Sequence, residues 1–289
     1  MIRPMLGQDG SHEPCGGRSL MFRRRLIELH EQSWFPQYLR DAVTDILQSI
    51  LNCSRYHELI APLLTTALKR APTRRIIDLC SGSGGPWFHL LPILDLDQQV
   101  SISLTDKFPH LSQFHRLELT GGHEIEFCRD SVDAQRVPHA LEGFRTLFNA
   151  FHHFEPEDAR QLLLDAVNHR QGVAIFEVPR RSPITMLTVF VMAVGTLLLL
   201  PFVRRFSLWL FLLTYLFPVV PFVMWFDGVV SCLRAYTQSE LHEFTSGSAL
   251  QSYDWKIGTL KRRFWPVSVT YLIGYPKQFS ASAVDRAAA

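Results

Sequence analysis

Residues Arg75 to Gly85 join a β-branched pair, Ile76-Ile77, to an acid, Asp78, and then to a run of small residues, Cys80-Ser81-Gly82-Ser83-Gly84-Gly85. Ile76 and Ile77 suit a buried strand, while Gly82 and Gly84 permit backbone conformations and a close ligand approach that a Cβ obstructs. With Pro86 to Leu91 able to open a helix, this is a strand-to-helix turn of the kind that accepts a nucleotide-like cofactor. Taken alone it also fits a dinucleotide loop or a plain tight bend.

Acids at the ends of later apolar runs narrow the choice. Val100 to Thr105 alternates as a strand does and stops at Asp106, about 20 residues beyond the loop, where a carboxylate can accept hydrogen bonds from both hydroxyls of a ribose. Glu124 to Cys128 leads into Asp130-Ser131-Val132-Asp133-Ala134, where a carboxylate can take the exocyclic amine of an adenine; Asp130 and Asp133 compete for that task. Phe144 to Phe148 ends at Asn149-Ala-Phe-His-His-Phe154, and Gly172 to Phe176 ends at Glu177. Each acid also has a plainer reading, as a helix N-cap or a solvated turn residue. Short apolar strands separated by helical stretches predict an α/β fold with a parallel sheet covered on both faces.

The chain resembles the class I S-adenosylmethionine-dependent methyltransferases over roughly Thr73 to Pro179, and again from Tyr236 to Tyr275. Asp78, Gly82 and Gly84 stand where that family has its first motif, Asp106 where it has the ribose-binding acid, Asp133-Ala134 at the adenine side, and Asn149 to Phe154 at the fourth motif. Cys80 departs from the pattern, because the family often has glycine there. The resemblance implies a Rossmann-like seven-stranded sheet, mostly parallel with an antiparallel last strand, and S-adenosyl-L-methionine as cofactor. It also implies a cofactor-binding set of Asp78, Cys80, Ser81, Gly82, Gly84, Gly85, Asp106, Lys107, Ser131, Val132, Asp133, Ala134 and Asn149. His152, His153 and Glu177 are the candidates to receive a proton from a hydroxyl or carbon acceptor. No metal is expected, since adjacent histidines on a strand point apart and no Cys or Glu sits at ligand spacing. A dinucleotide oxidoreductase is disfavoured, because Trp87 stands where Gly-x-Gly-x-x-Gly needs its third glycine.

The elements that must position these residues carry additions at two places. From about Leu20 to Lys69 the apolar spacing, as in Leu39, Val43, Ile46 and Ile50, predicts an N-terminal helical appendage, with Trp34, Phe35 and Tyr38 as candidates to line an acceptor pocket. Residues 1–19 read as a disordered tail, as do 277–289. Pro183 to Val203 and Phe206 to Phe226 are uncharged and flank Arg204-Arg205; each run would measure about 30 Å as a helix, the thickness of a bilayer's hydrocarbon core. This predicts an apolar helical hairpin at 183–226, transmembrane or re-entrant, inserted into a methyltransferase domain of 71–182 and 227–276. Arg180-Arg181 favour a cytoplasmic catalytic domain. The prolines at 201, 218 and 221 are expected to bend the helices, and Asp227 and Arg234 are expected to pair at the exit. Thr237 to Glu240 reads as a capping box.

Composition sets the outer limits. With 29 basic and 27 acidic residues the net charge of +2 gives no field for nucleic acid, and five unpaired-looking cysteines suit separate thiols in a reducing compartment. An anchored domain would meet a small, lipophilic acceptor at high local concentration. The rival from another class is a membrane protein that uses a cofactor-binding domain for regulation or assembly without turnover.

Overall fold

A computed structural model describes residues 23–82, 84–109, 124–199, 208–262 and 267–277. The expected terminal tails (1–19 and all but Lys277 of 277–289), Ser83, and the Arg204-Arg205 turn with Pro201 lie outside the described residues.

Seven strands form one sheet: β1 (Arg75–Leu79), β2 (Ser101–Leu104), β3 (Glu124–Phe127), β4 (Phe144–Phe148), β5 (Val173–Glu177), β6 (Tyr253–Lys261) and β7 (Ser268–Pro276). Their order is β3-β2-β1-β4-β5-β7-β6. The first five pair in parallel, and β7 runs antiparallel to both β5 and β6. The chain reverses direction across the sheet at β1, so the loops after β1 and β4 open side by side at the carboxyl ends, where such sheets hold ligands. β4 and β5 are buried on both faces, which is why they read as continuous apolar runs with no alternation.

One face is covered by α2 (Tyr56–Arg70) and the short α3 (Trp87–Leu90), through Ile60, Leu64 and Trp87. The other is covered by α4 (Pro156–Asn168) and α8 (Gln238–Thr245), through Leu162, Leu163, Leu241 and Phe244. Beneath α4, Arg145 of β4 is buried and ion-paired with Asp165 at 2.6 Å. The capping box opens α8: Thr237 Oγ1 accepts the Glu240 N–H, and the Glu240 carboxylate accepts the Thr237 N–H at 2.8 Å.

The N-terminal helices and the helices between β5 and β6 pack on each other. α1 (Gln37–Cys53) turns Ala42, Val43, Ile46 and Ile50 inward, onto Ala193 of α5 (Pro183–Leu199), Leu210 of α6 (Leu208–Phe211) and Val220, Val223 and Met224 of α7 (Val219–Arg234). α7 comes close to α5 at Gly228, where a Cβ would meet Val189 at 2.6 Å. α6 continues as a π-turn to Leu216 and meets α7 at a bend of 70°, where Pro218 removes a backbone donor.

Three expectations change here. No single helix among the described residues is long and apolar enough to cross a membrane; by length and composition, only the bent pair Leu208–Leu216 with Val219–Arg234 qualifies. Asp227 and Arg234 do not pair with each other. Asp227 accepts from Leu29 N–H at 2.6 Å, His30 N–H at 3.1 Å and His30 Nδ1 at 2.8 Å, whereas Arg234 pairs with Glu31 at 3.0 Å. Phe35 is buried in the α1–α5–α7 cluster, while Trp34 and Tyr38 are exposed. Arg180 and Arg181 fasten the hairpin's base, Arg180 donating to Ser268 Oγ and Arg181 pairing with Glu240.

Candidate functional site

The turn after β1 has the backbone that its small residues permit. Gly82, Gly84 and Gly85 have φ of 51°, 101° and 54°, and a Cβ added at Gly82 would meet nothing within 4 Å, so the loop faces open space. Cys80 also has a positive φ, 55°, which explains why glycine is expected at this position. The loop is stitched to the end of β2: Ser81 Oγ donates to the carbonyls of Asp78 and Thr105 at 2.8 and 3.1 Å, and Thr105 Oγ1 donates to the Asp78 carbonyl at 2.9 Å.

Asp106 closes this arrangement. One carboxylate oxygen accepts the Gly82 N–H at 2.9 Å and the other accepts the Phe108 N–H at 2.8 Å, fixing an acid across the loop from the glycines. A cleft lined by Ser81, Gly82, Leu104, Thr105, Asp106, Pro109, Phe127 and Cys128 opens beside it. The loop after β3 docks on the same edge, with Val132 N–H donating to the Asp106 carbonyl at 3.0 Å and Ser131 Oγ to the Lys107 carbonyl at 2.7 Å. Lys107 pairs with Asp133 at 2.8 Å, holding that carboxyl below its ordinary range and raising its own pKa. Val132 and Ala134 are buried, and Asp130 is exposed. The structure thus brings the glycine loop, Asp106, Lys107 and Asp133 together.

Asp78 differs in kind. It is buried behind the loop, where its Oδ1 accepts from Thr146 Oγ1 at 2.6 Å. Burial pushes its pKa up to about 7, and the hydrogen bonds only partly offset this. Asp78 therefore supports the loop from within. Burial, with Asp106 and Asp78 nearby, also raises the Cys80 thiol.

At the end of β4, Asn149 has φ of 52°, and its Oδ1 accepts the Val178 N–H at 2.8 Å, tying the β4 loop to the end of β5. A 3₁₀ turn, Phe151–His153, follows. Its tight winding sets the His152 and His153 rings side by side, with centroids 4.1 Å apart, so the expectation that they point apart is corrected. Glu177 holds the turn: Oε2 takes His152 Nδ1 at 2.6 Å and Oε1 accepts the Phe151 N–H at 2.7 Å.

Sequence reasoning missed the residues that face this turn from the N-terminal strap, residues 23–36 ahead of α1. Glu28 is buried, accepts from Ser231 Oγ at 2.8 Å, and lies 3.8 Å from His152 Nε2. Glu31 contacts His153 and Arg234; burial alone would raise its pKa, but those two partners hold it at about 2. Arg23 secures the strap through the Phe154 carbonyl at 2.9 Å and the face of Tyr236 at 4.6 Å. The only sequence signal was a cluster of acids, Glu28 and Glu31, among apolar residues.

No protein-family model matches the sequence, and no curated protein matches it. The fold, by contrast, has solved counterparts. The plantazolicin methyltransferase BpumL in complex with SAH superimposes with a TM-score of 0.56 at 13% identity, over 86% of this chain and 95% of that one. The plantazolicin methyltransferase BamL, in complex with a triazolic desmethylPZN analog and SAH, gives 0.54 at 11% identity over the same shares. With its strand order and antiparallel β7, the chain has the fold of these methyltransferases.

Proposed function

We propose that this chain is an enzyme that transfers a methyl group from S-adenosyl-L-methionine to a small, lipophilic acceptor met at a membrane surface. The observation that carries the reading is a cleft lined by Ser81, Gly82 and Asp106, with the Lys107–Asp133 pair next to it in sequence, in a fold whose solved counterparts hold SAH.

The residues fit the cofactor. The open space before Gly82 admits the amino-acid portion, Asp106 is pinned with its remaining lone pairs available to two ribose hydroxyls, and Asp133 shares its carboxylate between Lys107 and an adenine amine. When bound, the sulfonium supplies a methyl group that is already activated. The chain's task is alignment and exclusion of water. Asn149 and the Phe151–His153 turn form the wall on the acceptor side, and Glu177 fixes the orientation of His152 there. An acceptor with a proton to lose has His152, His153 and Glu177 as receiving groups.

The membrane part rests on the outer face of the hairpin. Ile184, Leu187, Val191, Val194 and Leu198 form an exposed stripe along α5 at helical spacing, continued by Leu208, Trp209, Leu216 and Phe217. The bend between α6 and α7 favours a shallow, re-entrant seat in one leaflet, and Arg180-Arg181 at the entry favour a catalytic domain on the cytoplasmic side. The test is incubation of the membrane-bound protein with radiolabelled donor and fractionated lipid extracts. Label in an apolar product, with release of S-adenosylhomocysteine, supports the reading. Donor binding without turnover across all fractions favours a regulatory role.

A further inference from the structure

The least expected feature of the molecule is the buried array between the N-terminal strap and the β4 and β5 loops. Glu31 and Glu28 meet there at the guanidinium of Arg234, 3.0 and 3.5 Å away, while His30 Nδ1 lies 2.8 Å from Asp227 and 3.7 Å from Glu28, and Glu177 holds His152. His152 is 3% exposed, and Glu177 occupies its Nδ1. With Nδ1 engaged, Nε2 faces Glu28 Oε1, 3.8 Å away and beyond hydrogen-bond reach. An imidazole nitrogen and a carboxylate oxygen so placed, with no hydrogen bond between them, can share a cation.

The geometry assigns a divalent-cation site to Glu28, His152 and His153. Each offers one ligand atom, and these atoms all lie within 4.8 Å of one another. Two imidazoles and one carboxylate form a borderline set that suits Zn²⁺ and also Mn²⁺ or Fe²⁺, with water completing the shell. Glu177 behind His152 is the carboxylate partner that orients a histidine ligand. Ser231 fixes Glu28 in the same way from α7. The ligands come from chain segments more than a hundred residues apart, so the ion fastens the strap to the Phe151–His153 turn. Nε2 cannot hold a cation and receive a proton together, so metal occupancy decides which task His152 performs.

The site stands or falls independently of methyl transfer, because its test reads the metal. The purified full-length protein, stripped with chelator, is titrated with Zn²⁺ by calorimetry and with Co²⁺ by visible absorption. One ion per chain is expected, with Co²⁺ bands of nitrogen and oxygen ligation and without the intense near-ultraviolet band of a cobalt–thiolate bond. Glu28→Gln should abolish the Co²⁺ bands while far-ultraviolet dichroism is retained, and Glu177→Gln should weaken Zn²⁺ about 10- to 100-fold. Absence of an ion in the wild type, a thiolate signature, or equal binding by Glu28→Gln overturns the assignment; the wild-type cobalt spectrum decides even if a variant fails to fold.

Discussion

Asp78 and Cys80 show how far single residues can be read. Both were legible as parts of a glycine-rich loop, because the loop's chemistry is local in sequence. Their roles within it were not, since burial is set by strands β1, β2 and β4 together. Asp78, expected at the cofactor, lies beneath the loop with its pKa raised to about 7. A raised carboxyl pKa contributes stability that is complete below the ordinary value near 4 and is lost as pH climbs through about 7. Asp78→Asn, which keeps an acceptor for Thr146, should therefore melt close to wild type at pH 4.5. At pH 8 it should melt higher, by an amount bounded at roughly 1.4 kcal/mol per pKa unit. An equal gap at both pH values would contradict this. Cys80→Gly removes a side chain from a left-handed conformation and should stabilise the fold by about 1 kcal/mol, read as a higher melting temperature. A lower melting temperature would mean that packing of the thiol outweighs the backbone strain.

The elements divide into those that sequence spacing revealed and those it could not. β1 to β7 and α8 follow from short apolar runs, strand alternation and a capping box, all of which operate within ten residues. The strap is different: its hydrogen bonds to α7 join residues 197 to 211 apart in the chain, and no local pattern encodes such a contact. The same contacts give the second apolar run a continuation that its composition does not reveal. Its continuation in α7 carries Asp227, Ser231 and Arg234 inward to the strap, where composition alone reads only an uncharged helix followed by an exit. Burial lowers the His30 pKa, but Asp227 and Glu28 overcome it and hold it above the ordinary histidine value. Its contribution is complete below about pH 6.5 and is lost as pH rises through the raised value. Trypsin cleavage within Arg23–Arg25 should thus accelerate as pH rises through that value in the wild type. In Asp227→Ala, which leaves the Leu29 and His30 N–H groups unpaired at about 1–3 kcal/mol, cleavage should be fast at every pH. Slow cleavage of that variant would show that Arg23 and Glu31 suffice to hold the strap.

At the scale of the whole molecule, a Rossmann-like sheet carries two additions that pack on each other, so α1 covers one side of the hairpin while α5 turns its other side outward. This coupling changes what removal of 183–226 would do: it would uncover Val43, Ile46 and Ile50 as well as detach the apolar surface. Charged substitutions on the stripe are the cleaner probe. Leu187→Asp with Val191→Asp should reduce flotation with anionic vesicles severalfold and leave donor affinity unchanged; unaltered flotation would remove α5 from the membrane contact. The central claim, that the loop after β1 and the acid after β2 hold a sulfonium nucleoside, is tested most directly by calorimetric titration of the full-length protein with S-adenosylhomocysteine, wild type beside Asp106→Ala. The account predicts one site per chain in the wild type and an affinity loss of about tenfold or more in the variant, the scale of losing a charged hydrogen-bond acceptor. No heat in the wild type, or the same affinity in both proteins, would contradict it.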